Sequence, residues 1–344
     1  SLMKSPIKTV ALGLLSAWVL VATAVAEAPF NDDIPDKHTV VKGDTLWDIS
    51  AHFLSQPWLW PEIWHVNPQI PNPHLIYPGD VISLIYIDGK PRLVLTRSRD
   101  VKLSPQIREV TDRQAISTLP LDLINSFLSR NRVVEPGVLE SAPYVLSGQS
   151  KRLLTGKGDD FYARGDFSDA DESYGIYRNG GPFTDPLTNE VLGVRAKDIG
   201  AGSTKAIDDD IATLIATRSV EELRINDRLL ELEERTIDAN FYPSSPPEET
   251  EGLILSVEGA VSTGGMLDVV SLNLGERDGM EIGNMLAIFK TGAIVKDRVQ
   301  GGTVTLPPEK AGLMMVFRTF EKMSFALILS ADLPISVKDI ARNP

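Results

Sequence analysis

Apolar and polar positions change rhythm several times along the chain. His38-Thr39-Val40-Val41 alternates and predicts a short strand. Leu46, Ile49 and Phe53 recur at helical spacing, so a helix over Leu46–Phe53 would carry them on one face. Asp44 or Thr45 stands where a side-chain oxygen can cap its free N–H groups. A second helix is expected over Trp60–Val66, with Pro61 tolerated in its first turn. Asn67 to His74 reads as a loop, and Val81-Ile82-Ser83-Leu84-Ile85 as a second strand. The order strand, helix, helix, strand describes a compact module over residues 37–87.

Residues 88–155 mix short strand patterns with proline breaks. Within them, Leu121, Ile124 and Leu128 share a helical face in the segment Leu119–Leu128. Further on the pattern repeats. Ile176-Tyr-Arg-Asn-Gly180 matches Ile288-Phe-Lys-Thr-Gly292 at an offset of 112 residues. The same offset pairs Asp185 with Asp297, Gly200 with Gly312, Ile225 with Val337 and Asp227 with Asp339. One constant offset over several landmarks predicts two duplicated β-rich units, barrel- or sandwich-like, over 156–238 and 253–344. Val220–Asp238 reads either as an amphipathic connecting helix or as the last strand of the first unit. The proline-rich stretch within 239–252, Tyr242 to Thr250, reads as a hinge. The expected fold class is α+β: a small βααβ module followed by a mainly-β region.

Composition narrows the function classes. A chain of 344 residues predicts two or three domains. Its formal charge of −13 repels phosphate backbones, which argues against a nucleic-acid partner. It has no cysteine, so disulfides, thiol catalysis and thiolate metal sites are excluded. Lys4 and Lys8, the apolar run Ala11–Val21 and the small residues Ala24-Val25-Ala26 predict a secretory signal peptide over 1–26. Cleavage is expected near Ala26, ahead of an acidic linker at 27–36. The competing reading is a retained anchor, for which 18 uncharged residues between Lys8 and Glu27 are marginal. With no Cys at the cut, a lipid anchor there is excluded. The expected location is the periplasm, in association with the cell wall and outer membrane.

His38-Thr-Val-Val-Lys-Gly-Asp-Thr-Leu-Trp-Asp-Ile-Ser50, Ile63-Trp-His-Val-Asn-Pro68 and Leu75-Ile-Tyr-Pro-Gly-Asp-Val-Ile82 together resemble the LysM domain. That resemblance implies binding to the N-acetylglucosamine-containing glycan of peptidoglycan. The implied groove has Gly43, Asp44, Thr45 and Leu46 on one side and Asn72, Pro73, His74, Leu75 and Ile76 on the other. Its backbone amides would bond the N-acetyl group while Leu46 and Ile76 touch its methyl. Other readings stay open: Gly43 and Gly79 as turn formers, Leu46 and Ile76 as core. The extended Gln56-Pro-Trp-Leu-Trp-Pro61 departs from the shortest modules of this kind. Most of the tryptophans here are expected in the core, with Trp58 or Trp60 as the exposed exception.

All four histidines (His38, His52, His65 and His74) fall inside the module, so a zinc hydrolase downstream lacks its ligands. A carboxylate glycosidase would need only Asp or Glu. Asp159-Asp160, Asp169, Asp171, Glu172 and Asp208–Asp210 are the available clusters, read here as solvated turns. The expectation is a binding protein without catalysis, cofactor or metal. Gly275–Asn284 and Gly312–Phe325 resemble the C-terminal domain of the flagellar assembly protein FlgT. Ala142–Gly148 and Tyr174–Arg178 resemble the preceding segment of TsaP-type proteins, associated with the type IV pilus secretin. The resemblance implies an outer-membrane secretin as partner, with self-association in a ring. The alternatives are a wall-remodelling enzyme or its regulator, and a flagellar ring component.

Overall fold

The computed structural model describes residues 30–31, 34–61, 76–88, 90–96, 117–151, 154–167, 173–232, 241–259 and 263–344. Strand β1 (Lys37–Thr39) leads through a turn to helix α1 (Leu46–Phe53), and a 3-10 turn (Pro57–Leu59) leads into Trp60. Strands β2 (Val81–Ile87) and β3 (Lys90–Thr96) complete an antiparallel sheet of order β1-β2-β3. Leu46, Ile49 and Phe53 are buried together with Val40, Trp60, Ile76 and Ile82, so one stripe of α1 supplies the floor of this core. Thr45 is the cap. Its Oγ1 accepts the Asp48 amide while Asp48 accepts the Thr45 amide, a reciprocal pair that satisfies two otherwise free donors. Most of the expected helix Trp60–Val66 lies outside the described residues. Strand β3 pairs with β2 over all seven residues and extends the sheet beyond the predicted module.

Helix α2 (Leu121–Arg130) begins directly after Pro120 and buries Ile124 and Leu128, with Leu121 half-buried beside them. After β4 (Asn131–Val134) and the short α3 (Val138–Ser141), the chain is almost entirely strand. It continues through β5 (Tyr144–Gly148), β6 (Leu154–Thr155), β7 (Asp160–Arg164), β8 (Ser173–Thr184), β9 (Val191–Asp208), β10 (Ile211–Ser219), β11 (Leu223–Arg224) and β12 (Arg228–Glu231). Seven of these form one sheet of order β10-β7-β5-β12-β8-β9-β4, and a β10–β9 pairing closes six of them into a first barrel. This barrel begins at β5, ahead of the residue 156 expected from the sequence. The segment from Val220 takes the strand reading, as β11 and β12, as far as it is described.

The remaining elements are β13 (Glu251–Val257), β14 (Val269–Leu272), β15 (Met285–Lys290), β16 (Ile294–Lys296), β17 (Thr303–Thr305), β18 (Glu309–Thr319), β19 (Ser324–Ala331) and β20 (Ile340–Arg342). Six of them close into a second barrel, β13-β14-β19-β18-β15-β20, while β16 and β17 form a separate hairpin. The strand order of the two barrels corresponds one for one. Ile176 pairs with Gly200 and Ile288 with Gly312; Arg228 pairs with Tyr177 and Ile340 with Phe289. Arg178 Nε donates to Asp227 at 2.8 Å, and Lys290 Nζ to Asp339 at 2.7 Å. Gly200 and Gly312 sit where a methyl group would overlap a facing carbonyl, of Arg218 and Ser330 respectively.

The second barrel is buried on both sides. Ile254, Val270, Leu286, Ile288, Met314 and Ile328 fill its interior. Its outer face presents Met315, Phe317, Met323, Phe325 and Leu327, covered by α2, by Phe183 and Leu192 of the β8–β9 hairpin, and by Trp47. Met314 to Phe317 are therefore core, as their apolar run requires. Residues 242–250, read as a hinge, lie along this barrel: Ser244 exchanges backbone bonds with Gly283 and Met285, and Asn343 holds both Pro247 and Thr250. Among the described residues no helix is long and apolar enough to cross a membrane.

Candidate functional site

The candidate site is the β1–α1 turn and the end of β2 facing it. Lys42-Gly43 makes the turn, and Gly43 has φ +103°, a backbone region open to glycine at little cost. Asp44 fixes the turn: its carboxylate accepts the Val41 amide at 3.0 Å and lies 2.9 Å from His38 Nε2. His38 stacks on His52 of α1 with ring centroids 4.8 Å apart, which ties the start of β1 to the helix. On the facing side, Asp80 closes the Tyr77–Asp80 turn by accepting the Tyr77 amide, and Gly79, at φ +96°, donates to Val40. Both glycines thus serve turn geometry.

The structure separates the groove residues expected from the sequence into three groups. Gly43 is exposed and Asp44 keeps part of its carboxylate open to solvent. Thr45 is buried as a helix cap, and Leu46 (1% exposed) and Ile76 (0%) are core, so their side chains line no open surface. Asn72, Pro73, His74 and Leu75 lie outside the described residues.

One feature of the site leaves no signature in the side-chain pattern. The amides of Leu46 and Trp47, at the N-terminus of α1, donate to the carbonyls of Ser117 and Thr118 at 2.9 and 3.2 Å. The chain therefore returns, some seventy residues later, to occupy two of the free donors at the head of α1. Leu119 anchors that return in the same apolar cluster as Trp47. Backbone acceptors can come from any residue type, which is why the sequence does not mark them.

Of the tryptophans, Trp47 and Trp60 are buried. Trp58 is half-buried and lines a cleft of about 390 Å³ between the module and the second barrel, where Lys310 Nζ lies 6.0 Å from its ring centroid. Of the acidic clusters weighed for glycoside chemistry, Asp160 is ion-paired with Lys205, Asp210 with Arg164, and Asp159 accepts the Gly156 amide, while Asp208 and Asp209 are exposed. Asp169, Asp171 and Glu172 lie outside the described residues. Among the described residues no group of three or more His, Asp or Glu side chains is placed to hold a metal ion.

A cap, a glycine turn and a two-histidine brace, framed by antiparallel β1 and β2, coincide with a family match. Residues 38–84 match the LysM domain. LysM domains bind N-acetylglucosamine-containing peptidoglycan. The LysM match covers most of β1, all of α1 and most of β2, ending before β3. A comparison with the curated proteins finds no match.

Proposed function

We propose that this protein is a non-catalytic tether of the periplasm, holding peptidoglycan through its LysM segment and an outer-membrane secretin of type IV pili through its β-barrels. The observation that carries the glycan half is the LysM match at 38–84, together with the intact turn and cap geometry of Gly43, Asp44 and Thr45. Export is supported by the basic, apolar and small-residue succession of residues 1–26. The absence of catalysis is supported by the confinement of every histidine to residues 38–74 and by the lack of cysteine. The secretin half rests on the resemblance of Gly275–Asn284 and Gly312–Phe325 to the FlgT-like domain and of Tyr174–Arg178 to TsaP-type proteins. The matched strand order and the 112-residue offset support a duplicated origin for the two barrels. A single groove holds glycan weakly, and several copies in a ring would raise retention through avidity.

Co-sedimentation with purified sacculi tests the glycan half. The chain should pellet, a version lacking residues 27–87 should stay in solution, and Asp44→Ala should pellet severalfold less. Equal pelleting with and without 27–87 would overturn the assignment. Loss of sacculus turbidity on incubation would favour the wall-remodelling alternative instead. Loss of swimming in place of twitching on deletion would favour the flagellar one.

A further inference from the structure

The two barrels treat equivalent hairpins in opposite ways. The tip of the β8–β9 hairpin is docked on the second barrel. Phe183 and Leu192 are buried there, and Phe183 packs on Phe325 with centroids 6.0 Å apart. Charge completes the contact: Glu190 accepts both Nη atoms of Arg277 at 3.0 Å and lies 2.9 Å from Lys322 of the β18–β19 turn. Glu190 of the hairpin thus meets two cations of the second barrel.

The corresponding hairpin of the second barrel is β16–β17. Its turn is built alike: Asp297 accepts the amides of Val299 and Gln300, as Asp185 accepts those of Leu187 and Thr188. At the positions of Phe183 and Leu192 it carries Val295 and Val304, and no described residue covers them. Ile294 is 72% exposed, Val299 94% and Val304 48%. Residues 298–310 are all exposed. Among the described residues, no hairpin covers the corresponding outer face of the first barrel. Tyr162 is exposed on it, Thr213 and Ile215 are half-buried, and the β9–β10 turn at its edge is Asp208-Asp209-Asp210. The charges of the unused pair are reversed relative to the used pair: the free hairpin carries exposed Lys296 and Arg298.

We infer that the β16–β17 hairpin docks on the first barrel of a second copy of this chain, with Lys296 and Arg298 facing Asp208 and Asp209. Among the described residues, one chain has one hairpin without a barrel and one barrel face without a hairpin, and a second copy satisfies both. Such a contact joins unlike surfaces, so it propagates head to tail and ends only in a closed ring or a filament. Complementary charge sets its register and orientation. This gives the self-association proposed above a defined surface, and it does not depend on glycan binding.

The test is sedimentation velocity of the full chain over a concentration series, without sacculi, so that its outcome is independent of the glycan assay. The wild-type chain should show species larger than a dimer that dissociate on dilution and in high salt. Lys296→Glu with Arg298→Glu should weaken association about tenfold or more. Asp208→Lys with Asp209→Lys should do the same. Mixing these two variants should restore mixed assemblies, as should combining all four substitutions in one chain, which no loss of folding can mimic. A wild-type chain that stays monomeric at every concentration would overturn the proposal. So would association that the Asp208/Asp209 reversal leaves unchanged, since that outcome points to hairpin–hairpin pairing or another face.

Discussion

Thr45 shows how a single side chain sets the candidate site. Its hydroxyl and the Asp48 carboxylate hold the first turn of α1, and the β1–α1 turn inherits its position from that cap. Thr45→Ala should therefore lower stability by about 1 kcal/mol in urea unfolding, and Thr45→Ser should restore most of it. At Gly200 and Gly312 the strands come too close for any Cβ. Gly312→Ala should cost about 1–3 kcal/mol by the same assay, because the methyl must push the Ser330 carbonyl aside. The residue scale was partly legible. Thr45 as a cap, and Leu46, Ile49 and Phe53 on one face, follow from residue type and spacing. The use of Leu46 and Ile76 as core instead of groove does not, because an apolar residue beside a glycine turn fits both places equally well until the sheet is built.

Elements were easier to read than their partners. Alternation locates β1 and β2, and the spacing of Leu121, Ile124 and Leu128 locates α2. The covering of the second barrel's outer face was legible only as a demand: Met314, Met315 and Phe317 required burial, but nothing in the pattern says that a hairpin more than a hundred residues earlier supplies it. The docking of that hairpin should depend on pH. Hydrogen bonds from Arg277 and then from Lys322 hold the Glu190 carboxyl down at about 2, against an ordinary value of 4.5. The folded state thus favours the ionised form, so its contribution is complete above pH 4.5 and fades as pH falls toward 2. The melting temperature of Glu190→Gln should lie below wild type at neutral pH, and the gap should close across that acid window.

At the scale of the whole molecule, three bodies of different origin in the sequence pack around one apolar cluster, in which Trp47, α2, the first hairpin and the outer face of the second barrel meet. Composition and length announce several domains, but the contact between module and barrel has no sequence signature, since Trp47 and Leu119 each read as ordinary core of their own segments. Leu119→Asp should loosen this junction and free the Leu46 and Trp47 amides. The expected outcome is tighter binding of an oligomer of N-acetylglucosamine, measured by calorimetry.

The return of Ser117 and Thr118 to the head of α1 also matters mechanically. A pull that separates the module from the barrels would load this contact: two backbone hydrogen bonds and the buried Leu119. Below the force that opens this clasp, Trp47 stays seated in the cluster shared with α2 and the second barrel. A joint of that kind yields in a step instead of stretching evenly.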